Sequence, residues 1–154
     1  MGGLEYLAVF TREHSAGRDG SADVLRLAWS EDDWKKLLLR TEPQRFRAGD
    51  IVIQRGAADR ALCLIAAGSL EVGLYRAEGV PIARIGVGSV AGEQAFFDGQ
   101  PRSMNVWAVS DGALLRLTLD AFEAFGREEP ALARDLLFAL GRVLSLRLRH
   151  TTKA

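Results

Sequence analysis

The sequence predicts a mainly β domain flanked by helices. Three observations carry this prediction. Short apolar or β-branched runs at 51–54, 61–66, 70–76, 81–85, 104–109 and 113–118 are separated by glycine, a spacing that belongs to an all-β sandwich or barrel rather than to βαβ units. Before and after them the apolar period becomes helical. The chain has 154 residues, which fits one domain.

Residues 1–28 form an N-terminal segment with an apolar stretch, Leu4 to Phe10, a polar Gly/Ser-containing stretch from Arg12 to Ser21, and then Val24-Leu25-Arg26-Leu27. Partial disorder is expected there. Ser30 followed by Asp33 reads as a capping box opening a helix over 30–40, which ends before Pro43. The strand region spans 44–119, with Gly49, Gly56, Gly68, Gly79 and Gly112 as turn glycines and Pro81 at a strand start. Helices follow over 120–150: Asp120 is the expected cap of the first, which ends near Gly126, and Pro130 stands in the first turn of the second. The complete domain is therefore expected at 29–150, leaving 151–154 as a tail. On the last helix, apolar residues cover more than one face, and the stripe Leu137, Leu140, Leu144, Leu148 needs a second cover, either a ligand or the same helix of another subunit.

Composition narrows the function. Lys plus Arg and Asp plus Glu both number 20, so no general basic field draws in nucleic acid or an anionic membrane. The C-terminal stretch 131–154 is nevertheless basic, with five cations against Asp135, which suits the C-terminal end of a helix dipole. Cys63 is the only cysteine and lies in an apolar run, which reads as a small core residue in a reducing cytoplasm. His14 and His150 have no neighbours at metal-ligand spacing, and no metal or haem is expected. Nor is a membrane span or a signal peptide.

The segment Gly88 to Ser103 carries the chemistry. A glycine-rich turn, a short helical stretch and Arg102-Ser103 supply backbone N–H groups, a positive helix end and a two-donor fork, the parts that hold a phosphate. Glu93 lies amid that positive potential and suits a ligand hydroxyl, such as a ribose offers, better than a bare phosphate. Gly92-Glu93, Ala95-Phe96-Phe97 and Pro101-Arg102-Ser103 resemble the phosphate-binding cassette of the cyclic nucleotide-binding domain family. Phe46-Arg47-Ala48-Gly49-Asp50-Ile51-Val52-Ile53, Gly56, Asp59, Leu64-Ile65 and Gly68-Ser69-Leu70-Glu71-Val72 resemble the first half of its β-roll. The resemblance covers residues 44 to 150 and is to catabolite-activator and protein kinase A regulatory-subunit types.

It implies a double-stranded β-helix, a jelly-roll-like β-roll with an N-terminal helix, a short cassette helix and a long C-terminal helix. It also implies a cyclic nucleotide as ligand, cAMP before cGMP, with no other cofactor. Arg102, Ser103 and the backbone N–H groups of Glu93, Gln94 and Ala95 are the implied phosphate partners; Gly92 allows close approach, and the Glu93 side chain takes the ribose 2′-hydroxyl. Strand alternation after Arg102 puts Asn105 on the face of Ser103, where an amide serves either a purine edge or nearby backbone. Trp107 reads as core. Ala91, Gln94, Met104 and Asn105 depart from the commonest family pattern, without removing a phosphate or ribose contact. The expected function is a non-catalytic sensor whose C-terminal helix moves on binding and acts on an effector protein, with homodimerisation through that helix. Direct DNA readout is not expected, since the catabolite-activator type carries a helix-turn-helix domain beyond the long helix and this chain stops at Ala154. The alternative is a degenerate β-roll serving only for dimerisation or docking.

Overall fold

The computed structural model describes residues 2–11, 23–74 and 82–152. The polar stretch from Arg12 to Ser21, for which disorder is expected, and Gly79 and Pro81 lie outside the described residues.

A turn of 3-10 helix at Leu4–Tyr6 leads into α1 (Leu7–Thr11), and α2 spans Glu31–Leu38. The expected capping box is present: Ser30 Oγ accepts from the Asp33 amide, and Asp33 Oδ2 from the Ser30 amide, both at 3.1 Å. Eight strands follow among the described residues: β1 (Glu42–Phe46), β2 (Ile51–Ile53), β3 (Leu62–Ala67), β4 (Leu70–Gly73), β5 (Ala83–Ile85), β6 (Val90–Ala91), β7 (Asn105–Ala108) and β8 (Gly112–Leu117). They form two antiparallel four-stranded sheets, ordered β1-β8-β3-β6 and β2-β7-β4-β5. The chain changes sheet at almost every connection, which makes a roll. The short helix α3 (Glu93–Asp98) interrupts it, and α4 (Leu119–Glu128) and α5 (Pro130–Thr152) complete the chain. The mainly β roll with flanking helices expected from the sequence is thus the observed architecture.

Strand β3 explains how the layers fit together. Cys63 and Ile65 face the second sheet, with Phe46, Leu70, Val106 and Leu114. Leu62, Leu64 and Ala66 point the other way, into a core with Trp34, Leu37, Phe125, Leu136 and Leu140 from the helices. A strand covered on both faces has no polar side to show, so it reads as one continuous apolar run. Each fully buried leucine here contributes about 1.5–3 kcal/mol relative to exposure. Burial also pushes the Cys63 thiol up to about 11, as befits an unreactive core residue.

Three elements differ from expectation. The strand β1 has no apolar signature because Glu42, Pro43, Gln44 and Arg45 are exposed and only Phe46 is buried; it is an edge strand, where proline is tolerated. The cap of α4 is Thr118, whose hydroxyl accepts from the Ala121 amide at 3.1 Å, and Asp120 lies in the first turn instead. The helix continues past Gly126 to Glu128. On α5, finally, the expected apolar stripe is divided. Leu140 is in the core with Leu136 and Val143, whereas Leu137, Leu148 and above all Phe138, 83% exposed, face outward.

Candidate functional site

A cavity of about 1130 Å3 lies where α3, β4, β5, β7 and the last turns of α5 converge. Its walls are largely apolar, with Ile53, Val72, Ile82, Ile85, Val106, Leu144 and Leu148, and its polar groups are few: Asp23, Arg84, Glu93, Gln94, Arg102, Ser103, Arg147 and His150. An apolar chamber with a few convergent polar groups is the usual form of a small-molecule site.

Gly92 sets the local geometry. It caps α3 in the left-handed region, with φ 82°, where residues bearing a side chain are strained. A Cβ there would also stand 2.5 Å from Arg102 Nη1. The absent side chain is what lets the guanidinium lie under the turn. Arg102 is only 5% exposed. Its Nη1 donates to Gly92 O at 2.9 Å, and its Nη2 to Ala61 O at 2.7 Å and to Asp59 Oδ2 at 3.0 Å. Among the described residues, Arg102 Nε is the buried side-chain polar atom left without a hydrogen-bond partner. A buried donor of this kind calls for an acceptor.

Asp59 holds Arg102 from below and also binds Arg116, whose Nη2 is 2.7 Å from Oδ1. Burial alone would raise the Asp59 pKa, but the Ala61 amide and the two guanidinium groups outweigh it and hold the carboxyl below its ordinary value. Arg60, from the same loop, grips the far end of α3: Nε donates to Ala95 O at 3.1 Å and Nη2 to Phe96 O at 2.9 Å. It thereby satisfies Phe96 O, a carbonyl that the end of a six-residue helix leaves open, and adds a second donor to Ala95 O, which already accepts from the Gly99 amide.

Glu93 is buried at the other side of the turn, and its Oε2 is 2.8 Å from Arg147 Nη1 of α5. The same guanidinium donates to Asp23 Oδ2 at 2.8 Å, to Ser89 Oγ at 3.0 Å and to Val90 O at 2.8 Å. Desolvation disfavours this cation, but the charge of Glu93 and the bonds to Glu93 and Asp23 more than offset it, so its pKa lies above the ordinary arginine value.

The structure therefore brings Gly92, Glu93, Gln94, Ala95, Arg102 and Ser103 to one cavity wall. Ser103 Oγ donates to Gln94 Oε1 at 2.7 Å, so these two neighbours are already coupled. Asn105 is placed differently. Its Nδ2 donates to Leu74 O at 2.8 Å and its Oδ1 accepts from the Arg55 amide at 2.7 Å, and it does not line the cavity. The reason is that β7 starts at Asn105, so alternation cannot be extended back to Ser103. Trp107 is buried, as expected of a core residue. Arg147, Asp23 and Arg60 have no counterpart in the sequence reading of the site. A signal existed for Arg147: it continues the buried series Leu136, Leu140, Val143 at helical spacing, and an arginine on a core face needs an acidic partner. Asp23 and Arg60 have no comparable local signature.

A two-sheet roll with a helix-bearing turn over a buried arginine defines a class of ligand-binding domains. Residues 43–129 match the family model described as the cyclic nucleotide-binding domain, and the chain belongs to that family. Its members serve as regulatory binding domains, and the ligand of the family is a cyclic nucleotide. A cyclic nucleotide-binding domain from Methylobacillus flagellatus has the same fold, with a TM-score of 0.81 at 21% identity over 99% of this chain and 83% of that one. The regulatory domain of Toxoplasma gondii PKA, crystallised with cAMP, is 26% identical with a TM-score of 0.55, over 64% of this chain and 38% of that one. Glutaminase 2 of Bradyrhizobium diazoefficiens is 31% identical over 117 residues, which are 76% of this chain and 18% of that protein. The chain thus spans less than a fifth of that curated relative.

Among the described residues no helix is long and apolar enough to cross a membrane, and no cluster of three or more His, Cys, Asp or Glu could hold a metal ion.

Proposed function

We propose that this domain is a cytoplasmic, non-catalytic sensor that binds cAMP in preference to cGMP and signals through movement of α5. The observation that carries this reading is the buried Arg102, whose Nη1 lies under the Gly92 turn and whose Nε has no hydrogen-bond partner among the described residues. A cyclic phosphate oxygen accepts from Arg102 and from the first amides of α3, those of Gln94 and Ala95, which by helix geometry have no acceptor inside the helix. Ser103 gives its hydroxyl to the same phosphate by leaving Gln94. Glu93 accepts from the ribose 2′-hydroxyl. The largely apolar walls favour adenine, because guanine carries further polar groups that such walls leave unpaired. The PKA relative crystallised with cAMP supports the same choice.

Signalling follows from Arg147. A ligand hydroxyl that takes Glu93 changes the contacts of α5, and the helix shifts by as much as the ligand's differential affinity for its two positions allows. The outward Leu137 and Phe138 suit the same helix of a second subunit, and the effector is a protein rather than DNA. Calorimetric titration with cAMP and cGMP tests the reading. Wild type is expected to bind cAMP more tightly, and Arg102→Ala to weaken it by about a hundredfold, the scale of lost charged hydrogen bonds. Absence of binding at millimolar nucleotide refutes it. A second reading, a docking or dimerisation module without ligand, is favoured by the engagement of Glu93 with Arg147 and of Ser103 with Gln94. A dimer in sedimentation that is indifferent to cAMP, with no heat of binding, is its signature.

A further inference from the structure

The segment Asp23–Leu25 takes no part in the reading above, yet it joins the cassette to α5. On one side, the Leu25 amide donates to Gly88 O at 2.9 Å and Ser89 Oγ donates to Asp23 O at 3.1 Å, both in the turn that leads into β6 and α3. On the other, Arg142 Nη1 donates to Val24 O at 3.3 Å and Arg147 Nε to Asp23 Oδ2 at 2.8 Å. Val24 and Leu25 are buried, so the strap is packed as well as bonded.

Among the described residues Arg147 therefore meets two carboxylates, one on each side. Glu93 meets Nη1 and Asp23 meets Nε, and the side chains of Arg147 and Asp23 are each 22% exposed. When a ligand hydroxyl turns Glu93 away, a guanidinium with no second acid would be a poorly compensated cation in a largely desolvated place. It would swing to solvent and take the end of α5 with it.

We propose that Asp23 is a positioning residue of the nucleotide site: it holds Arg147, and through it the last turns of α5, at the cavity while Glu93 turns to the ligand. This rests on the binding reading above. The N-terminal strap is then part of the sensor, because it decides whether α5 closes on the bound ligand or leaves it.

Amide hydrogen exchange over 143–149 and cAMP titration, applied to the full chain and to Asp23→Asn, Asp23→Glu, Arg147→Met and the Asp23→Asn/Arg147→Met pair, test this. Asp23→Asn is expected to speed exchange in the cAMP complex and to weaken cAMP binding, each by about tenfold, the scale of one charged hydrogen bond. Asp23→Glu should keep wild-type behaviour, and Asp23→Asn should add nothing once Arg147 is methionine. Unchanged exchange and affinity in Asp23→Asn, or an equal loss in the Arg147→Met background, overturns the proposal. Thermal melts of each variant separate these effects from misfolding, and Asp23→Glu keeps the test open if the asparagine variant unfolds. Should wild type bind no cAMP, the functional reading fails by itself. The ligand-free exchange then decides: faster exchange in Asp23→Asn, reversed in Asp23→Glu, supports the hold on Arg147, and no change removes it.

Discussion

Arg102 is held before any ligand arrives, and this is the central fact at the scale of residues. Asp59, Ala61 O and Gly92 O fix the guanidinium in place, so little side-chain entropy remains to be lost on binding. The acid that fixes it titrates. The Asp59 pKa is depressed in the fold, so its contribution to stability is present above the ordinary aspartate range, near 3.9, and is lost as pH falls through the depressed folded value. Asp59→Asn is expected to lower stability at neutral pH and to flatten the acid limb of a pH-dependent melting series; an acid limb parallel to wild type contradicts this. Gly92, Glu93 and Arg102 were legible in the sequence because they lie within eleven consecutive positions, 92 to 102. Asp23 has no local signature, and Arg147 shows only as an arginine on the core face of α5, since the fold brings the two together from opposite ends of the chain. Asn105 bonds nearby backbone, one of the two roles open to its amide, and stands apart from Ser103 because Ser103 precedes β7, in a segment with no regular period.

Among the elements, sequence patterns were most readable where one physical cause dominated. The capping box of α2 and the start of α5 at Pro130 are local chemistry, and both appear where expected. The edge strand β1 carries no such signal, because its place comes from pairing with β8, Glu42 opposite Arg116 through Phe46 opposite Gly112. The start of α4 is a contest between two neighbouring candidates. Thr118 prevails over Asp120 because its backbone is extended at the junction with β8, the conformation a cap requires. Thr118→Ala is expected to cost about 1 kcal/mol in urea unfolding, with an unchanged slope, while Asp120→Ala costs a few tenths. Equal losses would return the cap to Asp120. The far end of α3 depends on Arg60, a residue of the β2–β3 connection, so the cassette helix is shaped by the roll rather than by its own six residues.

At the scale of the whole molecule, two cores share one sheet. The face of β3 and β8 that meets the second sheet closes the roll, and the opposite face seats α2, α4 and α5. A displacement of α5 is thus felt by the sheet that closes the roll against the strands lining the cavity. The mainly β class could be read from glycine-separated runs, but the pairing order of the sheets could not, because strand partners are set by long-range burial and not by neighbours in sequence. One more property follows from how the charges are arranged. Three arginines and two acids line the cavity; behind them Asp59 and Arg116 offset one another, and Glu71 on Arg84 brings the balance even. Such a chamber has little long-range field with which to attract anions. Nucleotide affinity is expected to change less than threefold between about 0.05 and 0.5 M NaCl, a range over which a polycationic phosphate site weakens by orders of magnitude. Recognition then works at contact distance alone, and abundant polyphosphates in the surrounding solution are turned away for want of compensating charge.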